Sequence, residues 1–119
     1  MKILIPSITG LTLGTLLFTS CDAQIQHVKT ETVKVYGNCG MCKKTIEKAG
    51  NIGGIVKVDW SKETQLATIS FDSTAIAVNE ILIRIANAGY DSEDFRAPDE
   101  VYYNLHGCCQ YERPKKEKD

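Results

Sequence analysis

Cys39 and Cys42, in Cys39-Gly40-Met41-Cys42 with Lys43 and Lys44 directly behind, are the residues of this 119-residue chain best suited to chemistry. With two residues between them, both sulfurs converge from a turn that enters a helix. Cys42 then falls in the first helical turn, where unpaired N–H groups and the positive end of the helix dipole favour thiolate. Lys43 and Lys44 add positive charge nearby. A thiol acidified in this way serves metal binding and thiol–disulfide chemistry equally. As ligands, thiolates select soft or borderline ions such as Cu(I), Zn(II) and Hg(II) over magnesium or calcium. A Cys39–Cys42 disulfide would close so small a loop that it constrains little of the unfolded chain. It would be a resting state, not a staple.

The elements around this pair follow from periodicity. Thr30–Tyr36 alternates as a strand, with Val33 and Val35 on one face. Gly37-Asn38-Cys39-Gly40 breaks it, and from Met41 the pattern turns helical, with Cys42, Ile46 and Ala49 inward until Gly50. Ile55–Trp60 and Leu66–Asp72 alternate again around a polar turn, a hairpin burying Val56, Val58, Trp60, Ala67, Ile69 and Phe71. Val78–Ala88 reads as a second helix through Ile81, Leu82 and Ile85, with Glu80 in its first turn and Gly89 as its C-cap. A last strand is expected over Asp94–Ala97, centred on Phe95. The order βαββαβ over residues 28–97 is α+β and ferredoxin-like. It implies a four-stranded antiparallel sheet with both helices on one face. The cysteine loop and the Gly89-Tyr90 turn then share one end of the domain.

Composition sets the broader limits. At 43% hydrophobic and 24% charged, with a formal net charge of −1, the chain is an ordinary globule without the basic surface that nucleic acid demands. Residues 1–21 differ: Met1-Lys2, an apolar run from Ile3 to Phe18, then Thr19-Ser20-Cys21. They read as a secretory signal peptide, too short and too weakly flanked for a membrane span. The ending resembles a bacterial lipoprotein signal, which implies that Cys21 becomes a lipidated first residue tethering the domain at the cell envelope. No nucleophile with a paired base and no phosphate loop is visible, so an enzyme is not expected. Outside the cytoplasm, Cys39, Cys42, Cys108 and Cys109 could equally form two disulfides or two thiol pairs for metal.

Gly37-Asn38-Cys39-Gly40-Met41-Cys42, the element order, and Ala88-Gly89-Tyr90 closing the second helix together resemble the heavy-metal-associated domain. That family includes copper chaperones, the N-terminal modules of metal-transporting ATPases, and periplasmic mercury-binding proteins. The resemblance covers residues 28–97. It implies that Cys39 and Cys42 are the metal thiolates and that Tyr90 covers the site from the neighbouring loop. The implied cargo is Cu(I) first, with Zn(II) or Hg(II) as alternatives. The implied role is capture, transfer or sequestration, with a metal-transporting membrane protein as partner. The family's usual motif carries a core methionine two residues before the first cysteine; here Gly37 stands there. Met41, between the thiols, is expected to turn inward and restore that packing, the alternative being a thioether beside the ion. The competing function is an envelope thiol–disulfide protein. A thioredoxin-like site, however, needs a proline loop facing the cysteines, and none of Pro6, Pro98 and Pro114 stands where one would serve.

Residues 98–119 form a C-terminal extension. Pro98 can open a short helix with Asp99 and Glu100 in its first turn, and Val101, Tyr102 and Leu105 give it a side to dock. About eight helical residues rise about 12 Å, comparable with a strand, so the extension can carry Cys108 and Cys109 back to Cys39 and Cys42. Four thiolates would suit a closed zinc site or a multinuclear Cu(I) centre. Adjacent cysteines do not easily aim both sulfurs at one ion, so a single ligand, a separate thiol reserve and a cross-link to another chain remain open. His106 is weighed as a ligand or a surface residue, and His27 is read as spacer.

Overall fold

The computed structural model describes residues 24–116, so Cys21 and the signal peptide expected over residues 1–21 lie outside the described residues. Three strands, β1 (Val28–Lys34), β2 (Val56–Trp60) and β3 (Leu66–Asp72), and two helices, α1 (Gly40–Gly50) and α2 (Val78–Asn87), form the body. The sheet is antiparallel in the order β1-β3-β2, with Glu31 opposite Ile69 and Val58 opposite the same residue on the other side. In β2 and β3 the residues alternate cleanly. Val56, Val58, Trp60, Ala67, Ile69 and Phe71 point into the core, and their neighbours point away. Cys42 and Ile46 of α1 and Ile81, Leu82 and Ile85 of α2 close that core from the helical side. The period-2 and period-3.6 stripes therefore meet as expected.

The fourth strand is a correction: among the described residues the sheet has three. Ser92 makes a single antiparallel bridge to Val35 on the free edge of β1, and the Tyr36 N–H donates to the Asp91 carbonyl. Beyond it the backbone turns, with Ser92 N–H donating to the Phe95 carbonyl. The groups that would extend the ladder are taken by side chains instead. The Ala97 N–H donates to Asp91 (2.6 Å) and the Ala97 carbonyl accepts from Arg113 (2.6 Å). Backbone polar groups must be satisfied somewhere, and here the extension satisfies them.

The extension forms a short helix α3 (Asp99–Tyr103) and a 3-10 turn over Gly107–Cys109 before running out extended. Tyr102 is buried, and its hydroxyl donates to the Tyr111 carbonyl. Gly89 ends α2 at a φ of 110°, a conformation that strains any residue with a Cβ. Its carbonyl accepts from the Tyr111 hydroxyl (2.8 Å), so the α2 terminus is also where the extension docks. No helix among the described residues is long and apolar enough to cross a membrane.

Candidate metal centre

The loop from β1 to α1 carries the first thiol pair. Cys39 is the extended N-cap of α1 and Cys42 lies in its first turn, with the two sulfurs 3.3 Å apart. Cys42 is fully buried among core residues and its thiol donates to the Asn38 side-chain oxygen at 3.2 Å. Gln65, from the β2–β3 turn, donates to the Gly37 carbonyl at 2.6 Å and so pins the loop from the far side.

Gly37 explains the missing methionine. A Cβ there would lie 2.8 Å from the Trp60 ring and 3.3 Å from the Cys42 Cβ. The Trp60 indole fills that space, held by its N–H donating to the Val35 carbonyl (2.8 Å). Met41 therefore has no gap to fill: it is 48% exposed, and the expectation that it packs inward is overturned. Its Sδ instead lies 3.8 Å from Cys108 Sγ.

The extension brings the second thiol pair to the same end of the domain. Cys109 Sγ lies 3.6 Å from Cys39 Sγ and 3.8 Å from Cys108 Sγ. Cys39, Cys108 and Cys109 all fall within 4.8 Å of one another. Cys109 is 3% exposed, whereas Cys108 faces solvent. His106 is exposed and stands outside this sulfur cluster.

What holds the extension there is a polar clamp that sequence reasoning missed. Asp91, fully buried, receives Arg113 on both oxygens (2.8 and 2.9 Å). Arg113 also binds Asp99 (2.7 Å) and covers the Tyr102 ring at 4.6 Å. The Asp91 carboxylate beside it pushes the guanidinium still higher than usual. Tyr111 stacks on Tyr90 at 5.6 Å and accepts from the Asp91 N–H. Tyr90 is thus buried beneath the extension near Cys42, its hydroxyl without a hydrogen-bond partner. Burial, then the neighbouring Cys42 sulfur, drives the Tyr90 hydroxyl far up. The available signal was the alternation of Cys109, Tyr111 and Arg113 with polar neighbours, a strand-like period that sends all three inward.

Electrostatics separate the thiols. Burial alone would raise Cys39, but the Cys42 amide, the Cys42 and Cys109 thiols and the Met41 amide favour its anion more strongly. They hold it at about 7, against an ordinary 9.0. Neither amide closes a cap hydrogen bond to the sulfur, so they act as aligned dipoles at the helix start. Lys43 does not contribute as expected: it turns away to Glu47 (2.8 Å), Asp59 (3.0 Å) and the Trp60 carbonyl (2.8 Å). Cys109 is pushed up to about 12, by burial first and then by the thiols of Cys39, Cys108 and Cys42. The anion is accordingly favoured on Cys39 over Cys109.

The donor set is all sulfur, which fits soft ions. Two sulfurs each about 2.3 Å from one ion stand about 4 Å apart at tetrahedral to trigonal angles. The Cys39–Cys109 spacing is already close to that, and the Cys39–Cys42 pair needs only a small opening. Once Cys42 ionises, the Asn38 amide can turn its NH2 to the sulfur, since its two ends exchange by a rotation.

No protein-family model matches the sequence. Individual proteins do. The chain is 36% identical over 66 residues to the mercuric transport protein periplasmic component of Pseudomonas aeruginosa, covering 54% of this chain and 72% of that protein. It is 33% identical over 63 residues to the copper chaperone CopZ of Staphylococcus aureus, covering 51% of this chain and 93% of the chaperone. The chain belongs to the heavy-metal-associated domain family. The crystal structure of oxidised MerP from Ralstonia metallidurans CH34 superposes with a TM-score of 0.51 at 35% identity, over 56% of this chain and 94% of that one. The two relatives of this heavy-metal-associated domain are named for transport of mercury and for chaperoning copper.

Proposed function

We propose that the protein binds a soft heavy-metal ion through Cys39 and Cys42, with Cu(I) as its first cargo and Hg(II) or Zn(II) as alternatives. The observation that carries the reading is the 3.3 Å approach of the two sulfurs at a helix start. Against its partial burial, the neighbouring Cys42 and Cys109 groups lower Cys39 to about 7. A thiolate is then available at neutral pH without a catalytic base. The copper and mercuric carriers among its relatives support a role in capture and hand-over, to a metal-transporting membrane protein. The periplasmic naming of the Pseudomonas relative supports work at the cell envelope. Tethering through a lipidated Cys21 belongs to this reading, and Cys21→Ala should move the folded protein from the membrane to the soluble fraction.

Anaerobic titration of the reduced protein with Cu(I) against a chromophoric chelator tests the function. Tight stoichiometric uptake is expected. Cys39→Ser should weaken it by more than about 100-fold, beyond what loss of an outer partner of a ligand costs, because a neutral hydroxyl replaces an ionised soft donor. Disulfide-reductase turnover without metal affinity would instead establish the thiol–disulfide alternative.

A further inference from the structure

Five sulfurs run as one chain from solvent to core. Met41 is 48% exposed and its Sδ lies 3.8 Å from the exposed Cys108. Cys108 lies 3.8 Å from Cys109, Cys109 3.6 Å from Cys39, and Cys39 3.3 Å from Cys42. Met41 and Cys108 are exposed, Cys109 is 3% exposed, Cys39 is half-buried and Cys42 is fully buried. Holding one ion accounts for the inner sulfurs. It does not account for a thioether and a thiol set side by side at the surface. A methionine there leaves apolar area in water, but it offers a neutral soft donor that needs no deprotonation.

We propose that Met41 and Cys108 form an outer landing site for Cu(I), from which the ion passes by way of Cys109 to Cys39 and Cys42. The proposal rests on the soft-metal function above. Low-coordinate soft ions change ligands by attack of the incoming sulfur before the outgoing one leaves. Steps no longer than a sulfur–sulfur contact therefore keep the ion coordinated throughout. On entry, the donor's bonds to the ion break and its ligands leave unchanged as Cys108 forms its S–Cu bond, releasing its proton to solvent, and Met41 binds without one. On transfer inward, the Cys109 proton passes to Cys108 as the ion's bond to Cys109 forms and its bonds to Cys108 and Met41 break, Met41 departing neutral. In the last step the ion's bonds to the Cys39 thiolate and Cys42 form as its bond to Cys109 breaks, and the proton that Cys42 loses returns Cys109 to the thiol. Copper stays Cu(I) and no electron moves. Cys42 and Cys109 are buried and Cys39 is half-buried, so a bulky donor in solution meets the exposed outer pair first, and that pair sets how fast an ion enters and leaves. Because the ion does not rest there, the pair should govern rates and leave affinity alone.

The test uses the full reduced chain under anaerobic conditions, with Cu(I) supplied as its bicinchoninate complex. Uptake is followed by stopped-flow absorbance, and release is followed after adding excess chelator. In Met41→Leu/Cys108→Ser, uptake and release should both slow by about tenfold or more, since sulfur exchange is governed by access. Affinity should stay within about threefold of wild type, well inside the 10–100-fold that a site's outer partners carry. Cys108→Ser alone should slow both rates less, and circular dichroism should stay unchanged because both side chains are exposed. Unchanged rates in the double variant overturn the landing site. So does a loss of affinity with normal uptake, which would make Cys108 a resident ligand. Failure of the underlying function reads out separately, as wild-type affinity in Cys39→Ser.

Discussion

Cys39 and Cys42 come together through a turn and one helical turn, so that three residues of separation become a 3.3 Å contact. Cys108 and Cys109 are adjacent, yet one faces solvent and the other is buried against Cys39. The first pair stands on the body's own core, where Trp60 and Gly37 shape the loop. The second is delivered by a segment whose position depends on one buried ion pair and a tyrosine stack, Asp91–Arg113 and Tyr90–Tyr111. A site can thus combine a locally determined half with a half delivered from 70 residues away. The two halves should fail differently when broken.

The largest effect is expected at the clamp. Arg113→Ala leaves the Asp91 carboxylate without its partner, and removing one member of a buried pair costs about 3–5 kcal/mol. For a domain of this size the melting temperature should fall by upwards of about 10 °C. Cys109 should become readily alkylated as the extension lifts. Differential scanning calorimetry and mass-mapped thiol labelling would check both. An unchanged melting temperature would mean that the clamp does not hold the extension.

A smaller effect should appear on the locally determined side. Gly37→Ala places a Cβ 2.8 Å from the Trp60 ring, and overpacking of this kind costs about 1–3 kcal/mol. Thermal unfolding should show the loss, and the single tryptophan should report it as a shift in fluorescence. Alkylation of Cys109 should stay slow, because the clamp is untouched. If Gly37→Ala frees Cys109 as Arg113→Ala does, the two halves are not separable.

The smallest effect is the pH dependence that joins them. Cys39 ionises at about 7 in the folded chain against 9.0 ordinarily, so its stabilising contribution is full above about 9 and is lost as pH falls through 7. Cys109, pushed up to about 12, works the other way: its contribution is present below 9 and is lost as pH rises from there. The melting temperature of the reduced, metal-free protein should therefore rise from about pH 7 towards 9 and decline above it. Iodoacetamide should react first with Cys39, with an apparent midpoint near 7. Cys109→Ser should move that midpoint upward, since one group favouring the Cys39 anion is gone.

Much of this was legible in the chain itself, for reasons of short range. Alternation in Leu66–Asp72 and helical spacing in Val78–Asn87 depend on neighbours a few residues away, so both elements fall within a residue of their expected bounds. Gly89 ends α2 at a positive φ as its position implied. The convergence of Cys39 and Cys42 is likewise a property of one turn. Other features were settled only by residues distant in sequence. The fourth strand dissolves because Arg113 and the Asp91 side chain take backbone groups at Ala97 that a ladder would have used. Met41 stays outside because Trp60, on β2, already fills the space beside Gly37. Lys43 leaves the thiols for Asp59 on the same strand. Which of two adjacent cysteines faces the site was likewise decided by the docking of the extension, with Tyr111 against Tyr90 and Arg113 on Asp91. Periodicity carries the direction of a side chain along its own element, but what waits there to meet it is a matter of packing between elements.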